Sequence, residues 1–434
     1  MRDMVMLVAM LAMVPMAFMN GFVAFLFWGY TTVLTPAHYL YGFMQGVRFN
    51  LIFAAIALAL LFLQKNKNEN KPILGVSYWL LVAFLIHASL STLFALSPNP
   101  LVAEKYEKII KGFAFVLALP FFVKDRTGIH AVLLMIALGL GLHGVIEGLK
   151  FIASGGGHRM NGIPDSSLTD NNLFALGMVM VLPLILYFNN VLVHKYTKLL
   201  TMFAFLLTIM TVIATNSRGG FLALTVLGGW YFMASRRKGY ALLAVLVGVV
   251  LVFAVAPDTW FERISSIKEA NDDESFMNRV AAWKVSMSIG LSNPVFGGGF
   301  SAVQNFWIWE AYKNIPSIIP VDVNLYTPKA AHSIYFQVLG DMGLLGLILF
   351  LSIMASAFIN RSSIFAKIKK SGRKDLLWAN DIANTLFLSL LAFMVGGAGV
   401  SLPYYEIVYI LVSLMAILNG IVTAKIREKP VLNS

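Results

Sequence analysis

The run NNLFALGMVMVLPLILYFNNVLVHKYTKLLTMFAFLLTIMTVIATNSRGGFLALTVLGGWYFMASRRK, residues 171–238, decides the fold. It holds three apolar stretches, 171–188, 199–215 and 219–234, each of a length to cover most or all of a ~30 Å hydrocarbon layer as a helix. The first two are joined by a basic connector with Lys195 and Lys198, the next two by Thr215-Asn216-Ser217-Arg218, and the third runs out into Arg236, Arg237 and Lys238. Connectors rich in Lys and Arg mark one side of a membrane, so their alternation describes a chain that crosses repeatedly.

Outward from this run, similar stretches lie near 4–19, 21–35, 49–63, 73–96, 109–123, 129–149, 240–256, 333–358, 379–400 and 404–424. The expected fold is an all-α polytopic membrane protein of 12–13 transmembrane helices, with one large loop capping a lateral cavity. The first two stretches touch at Asn20-Gly21 and read either as two crossings or as one crossing with a re-entrant piece. Three parts follow: an N-terminal helix bundle over 1–256, a loop with short interfacial helices over 257–331, and C-terminal helices with a cytoplasmic tail over 332–434. The apolar start continues without a charged leader and small-residue cleavage site, which predicts no cleaved signal peptide. With 59% hydrophobic and 12% charged residues and no cysteine, there is no basic soluble domain to bind nucleic acid, no disulfide framework and no thiolate chemistry.

The net charge of +12 is largely topological. Counted back from the C-terminus, Lys425, Arg427 and Lys429, then Arg361 to Lys374, Arg236 to Lys238, Lys195 and Lys198, Lys124 and Arg126, and Lys65 to Lys71 fall on one side, which is read as cytoplasmic. The stretch Ser362 to Lys374, with Ile364, Phe365 and Ile368 among lysines, is expected along the anionic inner leaflet. The opposite side receives the segment from Pro257 to Ala331, which carries Trp260, Trp283, Trp307 and Trp309, a helix-compatible patch from Ser275 to Leu291, and turns at Asn293-Pro294 and Gly297-Gly298-Gly299. A tryptophan-rich loop of that length is expected to roof a cavity.

Chemistry-bearing residues gather on that far side. Arg218 stands at a helix mouth after Asn216 and Ser217 and before Gly219-Gly220; it either snorkels to lipid phosphates or grips a phosphate in a site whose glycines allow close approach. Helical spacing puts Arg279 and Trp283 on one face, as an interfacial anchor or a second phosphate contact. The run Asp272-Asp273-Glu274 is expected to cap that helix, and no ligand spacing recommends a metal. His332 opens the next membrane helix with Tyr335 one turn on, and a neutral imidazole there can take a proton from a hydroxyl near pH 7. Arg159, Asn171 and Asn172 lie in a further polar stretch that is either a plain Gly-rich turn or a source of phosphate and sugar contacts. Glu104, Lys105, Glu107 and Lys108 read as a solvated helix end without a role.

Together Ser217-Arg218-Gly219-Gly220, Asp170-Asn171-Asn172, Asn278-Arg279 through Trp283 to Gly297-Gly298-Gly299-Phe300, and Ala331-His332-Ser333 with Gly340-Asp341-Met342-Gly343-Leu344-Leu345-Gly346 resemble the O-antigen ligase and polymerase superfamily over residues 150–350. Met1-Arg2-Asp3 and the hairpin with Pro36, His38, Gly42 and Phe43 look more narrowly like exosortase-associated O-glycosylation ligases. The resemblance implies an enzyme of the bacterial inner membrane whose periplasmic site moves a glycan from undecaprenyl diphosphate to a lipid or protein hydroxyl. By the same resemblance Arg218, Arg279 and His332 are the essential residues, Arg159 is a further arginine position, inversion is the outcome, and neither metal nor cofactor takes part. Asn171, Asn172, Asn216, Ser217 and Tyr335 are the expected substrate contacts. Polymerase chemistry, a flippase of lipid-linked sugar and a non-catalytic assembly partner are the competing readings; a transporter should show internal repeats and midplane ionisable sites, which the sequence does not display.

Overall fold

A computed structural model describes residues 1–63, 72–97, 100–164, 166–235, 238–239 and 274–428. The protein is an all-α polytopic membrane protein, and no strand occurs among the described residues. In chain order the helices are α1 (Arg2–Met19), α2 (Gly21–Leu34), α3 (Phe49–Leu63), α4 (Val76–Leu93), α5 (Pro100–Phe122), α6 (Arg126–Ala153), α7 (Asn171–Val191), α8 (Lys195–Ala214), α9 (Arg218–Ala234), α10 (Glu274–Ser292), α11 (Phe306–Tyr312), α12 (Ile334–Ser371), α13 (Leu377–Gly397) and α14 (Glu406–Arg427). Every apolar stretch named from sequence coincides with one of these except 240–256, which lies outside the described residues, as do Trp260, Asp272 and Asp273. Eight are long and apolar enough to cross a membrane: α1, α4, α6, α7, α8, α12, α13 with its preceding turn, and α14; α2 and α3 are shorter apolar helices. Asn20 separates α1 from α2, its side-chain oxygen accepting from the Phe22 amide at 2.8 Å.

The central helix is α7, which packs on α6, α8, α9 and α13 and buries nearly every residue from Leu173 to Ile185. An all-round apolar surface suits either lipid or a bundle interior, and the burial of α7 puts it in the interior. One core joins early and late parts of the chain, from Ala24 and Phe25 on α2 to Ile421 and Val422 on α14. The large loop has a small core of its own, in which Ala282, Val285 and Ile289 on α10 meet Trp309 and Ala331.

The two ends of the bundle differ in charge. At one, α6 begins with Arg126, whose guanidinium lies 4.9 Å over Trp378, and Arg373 donates to the Lys425 carbonyl at 2.9 Å. Lys369, Lys370 and Arg427 close α12 and α14 there. The stretch 362–371, expected along the membrane surface, instead continues α12, with Ile364 and Ile368 buried against the bundle. At the other end Asn171 reaches Thr215, His332 reaches Ser401, and Ser167 reaches Glu406.

Toward that second end α12 is broken. Gly343 takes φ 71°, and the polar backbone exposed by the break is satisfied from neighbours. Gly298 and Gly299 amides donate to Gly340 and Asp341 carbonyls at 2.8 and 2.9 Å, and the Leu345 amide donates to the Pro294 carbonyl at 3.0 Å. Ser91 on α4 donates to the Asp341 carbonyl at 2.8 Å, and the buried Asp341 carboxylate accepts from the Ser301 amide at 2.9 Å and the Tyr404 hydroxyl at 3.0 Å. The turn after α10 is thereby stitched to α12 around Gly343.

Glycine is required at the break. A Cβ on Gly343 would stand 2.6 Å from the Asn293 carbonyl oxygen, on a backbone that L side chains seldom adopt. Gly343→Ala is therefore expected to cost at least about 2 kcal/mol, seen as a lowered Tm in detergent. Gly228→Ala on α9, whose Cβ would meet nothing within 4 Å, should leave Tm unchanged or raise it, and equal melting of the two variants would refute the role given to the break.

Candidate functional site

The stretch 394–401, the last turn of α13 and the residues just after it, organises this second end of the bundle. Its carbonyls and one hydroxyl receive donors from three directions: Tyr335 gives its hydroxyl to Met394 at 2.9 Å, Arg279 gives Nη1 to Gly399 at 3.4 Å, and the His332 amide gives to Ser401 Oγ at 2.9 Å. The first turn of α9 lies against the same place, with the Cβ direction of Gly219 facing the Gly396 carbonyl at 3.6 Å. Carbonyls at a helix C-terminus have no partner in their own helix and carry partial negative charge, so they draw hydroxyl, amide and guanidinium groups. Arg279 and His332, far apart in sequence, are brought to this stretch by those hydrogen bonds, and the first turn of α9, which begins with Arg218, lies against it.

Arg218 is the first residue of α9. Ser217 caps the helix, its Oγ accepting from the Gly220 amide at 3.1 Å and donating to Asn172 Oδ1 at 2.8 Å. Asn216 has the left-handed φ of 53° that lets the chain turn sharply between α8 and α9. Asn171 donates to the Thr215 carbonyl at 2.9 Å, and Asn172 donates to Asn171 Oδ1 at 3.3 Å. The amides expected to meet sugar hydroxyls thus hold the 215–217 turn. Of the two glycines after Arg218, Gly220 serves packing, since its Cβ would stand 2.6 Å from Ala175 on α7.

Arg279 lies on α10 with Trp283 one turn on, as the spacing predicted. Trp283 stacks on Phe336 at 5.3 Å and donates to the Ala331 carbonyl at 2.6 Å, pinning the end of the loop beside the residue that follows it. That residue, His332, has φ 43°, a conformation rare outside glycine. Its strain is held by the Ser401 contact and the buried neighbours Ala331 and Ser333.

Arg279 and His332 line one cleft of about 380 Å³, with Glu274, Ser275, Asn278 and Lys329. Lys329 and Glu274 were not singled out as site residues from sequence, although Lys329 stands three residues before His332. Arg218 does not line this cleft, and the Tyr335 hydroxyl is engaged at the Met394 carbonyl. Arg159 is exposed on the loop after α6, next to Met160, whose amide donates to the Ala214 carbonyl at 3.2 Å, and it does not line the cleft. Among the described residues no group of three His, Asp or Glu side chains is placed to share a metal ion.

Burial holds the His332 imidazole below its ordinary pKa of 6.5, the Arg279 charge pushes it the same way, and the Asp170 carboxylate opposes both. The ring is therefore neutral at pH 7 and able to accept a proton. In an NMR titration of histidine-labelled protein, assigned with His332→Gln, the His332 midpoint should fall below 6.5. Arg279→Gln should raise it and Asp170→Asn should lower it further. A midpoint above 6.5, or one indifferent to both variants, would refute this electrostatic arrangement.

Residues 203–351, which contain α9, α10, the loop and the first half of α12, match the O-antigen ligase family model. Residues 1–193 match a family of unknown function (DUF5935), and no curated protein matches the chain. The stretch that carries Arg218, Arg279 and His332 is thus similar to the O-antigen ligases, which supports a ligase- or polymerase-like membrane enzyme.

Proposed function

We propose that the protein transfers a glycan from undecaprenyl diphosphate to an acceptor hydroxyl at the end of the bundle opposite the basic loops. The observation that carries this reading is the cleft in which a cation, Arg279, and an imidazole held neutral, His332, face the same space. The bond between the anomeric carbon and the diphosphate oxygen breaks while the acceptor oxygen bonds to that carbon from the opposite side. The acceptor proton passes to the His332 ring, and undecaprenyl diphosphate leaves with the bonding pair. Negative charge on the leaving oxygens grows as the bond breaks, so guanidiniums beside them stabilise the transition state more than the ground state. Arg279 serves this role in the cleft and Arg218 from the start of α9. Asn171, Asn172, Asn216 and Ser217 set the place of Arg218, and Tyr335 holds the turn itself.

Since Lys and Arg accumulate in cytoplasmic loops, the opposite end faces the periplasm of a bacterial inner membrane, the side on which polyprenyl-linked glycans would be consumed. Protein Ser or Thr is the acceptor that the narrower resemblance favours, with a lipid-borne hydroxyl as the alternative.

Purified protein supplied with a synthetic undecaprenyl-diphosphate glycan and a panel of peptide, lipid A core and lipid-linked acceptors should form product on one acceptor class. His332→Ala is expected to reduce kcat by about 10²–10⁴-fold without loss of carrier binding. Arg218→Lys should lose on the order of 10²-fold although charge is kept, because an ammonium lacks the planar pair of donors. Unchanged turnover in His332→Ala would remove that residue from the mechanism, and full activity of Arg218→Lys would exclude the diphosphate contact.

A further inference from the structure

A second cleft of about 400 Å³ opens at the same end of the bundle, between α2, the start of α3, α5 and the start of α14. Its wall is apolar: Trp28 meets Phe115 edge-on at 5.1 Å, and Ile410 of α14 also faces the space. Three cations line it, Arg48 before α3 and Lys108 and Lys111 on α5, against one acid, Glu406, which accepts from Ser167 at 3.1 Å. Neither Arg218, Arg279 nor His332 borders this space.

From the structure we infer that this cleft binds an anionic membrane lipid through its phosphate head group, with a hydrocarbon chain against Trp28, Phe115 and Ile410. The inference is independent of the glycan-transfer reading. Lys111 is the twelfth residue of α5, about 16 Å along the axis from Pro100, so the two lysines stand well along the helix, beside the apolar wall and not at its first turn. Lys108 and Lys111 have acid partners, Glu104 at 2.8 Å and Glu107, one turn nearer the helix start. Those pairs are more than half exposed, and pairs of that kind contribute little, so a phosphate can recruit both ammoniums at small cost. A phosphate seated beside an apolar wall is shielded from water, which strengthens each charge-assisted hydrogen bond. A lysine that merely snorkels to bulk lipid needs neither a concave wall nor a third cation from another segment. The helix end at 104–108 is exposed, as expected, and through Lys108 it also borders the pocket.

The test uses the full chain in nanodiscs of phosphatidylcholine doped with brominated phosphatidic acid or, at equal mole fraction, brominated phosphatidylcholine. Bromine on the acyl chains quenches tryptophan on contact, and the share due to Trp28 is read by difference from Trp28→Phe. Phosphatidic acid should quench Trp28 several-fold more strongly than phosphatidylcholine. That preference should vanish in the triple variant Arg48→Gln/Lys108→Gln/Lys111→Gln and persist in Lys108→Arg/Lys111→Arg, with Tm unchanged in both. Equal quenching by the two lipids, or a preference that survives in a folded triple variant, would overturn the assignment. Should the triple variant melt early, titration of the wild type settles the matter: saturable quenching by phosphatidic acid supports the site, and a linear rise shared by both lipids refutes it.

Discussion

The hydrogen bonds made where α13 ends are the constraint on which the end of the molecule carrying Arg279 and His332 is built. A helix leaves its last carbonyls without partners, and in a membrane protein water is a poor source of replacements. Here Val395, Gly396 and Gly397 accept from the amides three residues on, the Met394 carbonyl takes the Tyr335 hydroxyl, and just beyond the helix the Gly399 carbonyl takes the Arg279 guanidinium and Ser401 the His332 amide. What satisfies the helix end also gathers a guanidinium and an imidazole into one cleft. The left-handed backbone at His332 is a consequence, since the residue must turn from the loop into α12 while its amide faces Ser401.

The break in α12 supplies the second fixed point. By docking the turn at 294–299 onto the interrupted backbone around Gly343, it sets where α10 ends, and α10 carries Arg279. Asp341 extends the contact to Tyr404, just before α14, so hydrogen bonds join the loop, the broken helix and the entrance to the last helix. The site therefore rests on elements rather than on a free loop, as positioned cations require when they act on a charge that grows during reaction.

The helices were legible because apolar length in a membrane chain leaves few alternatives, and the alternation of basic connectors was enough to put Arg218, Arg279 and His332 at one end. The patch from Ser275 to Leu291 was legible as a helix for the same reason of periodicity. The turn at 394–401 was not, because Met394, Gly396, Gly399 and Ser401 carry no reactive side chain, and what they contribute is largely backbone carbonyls. Gly297-Gly298-Gly299 and Gly340 to Gly343 were visible as separate glycine-rich signals; that they are two halves of one contact depends on three-dimensional proximity. Asn171, Asn172 and Tyr335 have the chemistry of substrate contacts, yet their polar groups are engaged by backbone and neighbouring side chains. Lys108 belongs to a solvated helix end, as expected, yet it also lines a cleft with Arg48 and Trp28, which are distant in sequence.

Determining the structure of the protein with undecaprenyl diphosphate bound bears most directly on the grouping of Arg218, Arg279 and His332. The diphosphate oxygens should lie about 2.7–2.9 Å from guanidinium nitrogens of Arg279 and Arg218, with the His332 ring on the side from which an acceptor would approach. A diphosphate seated away from both arginines, for instance in the cleft of Arg48, Lys108 and Lys111, would contradict it.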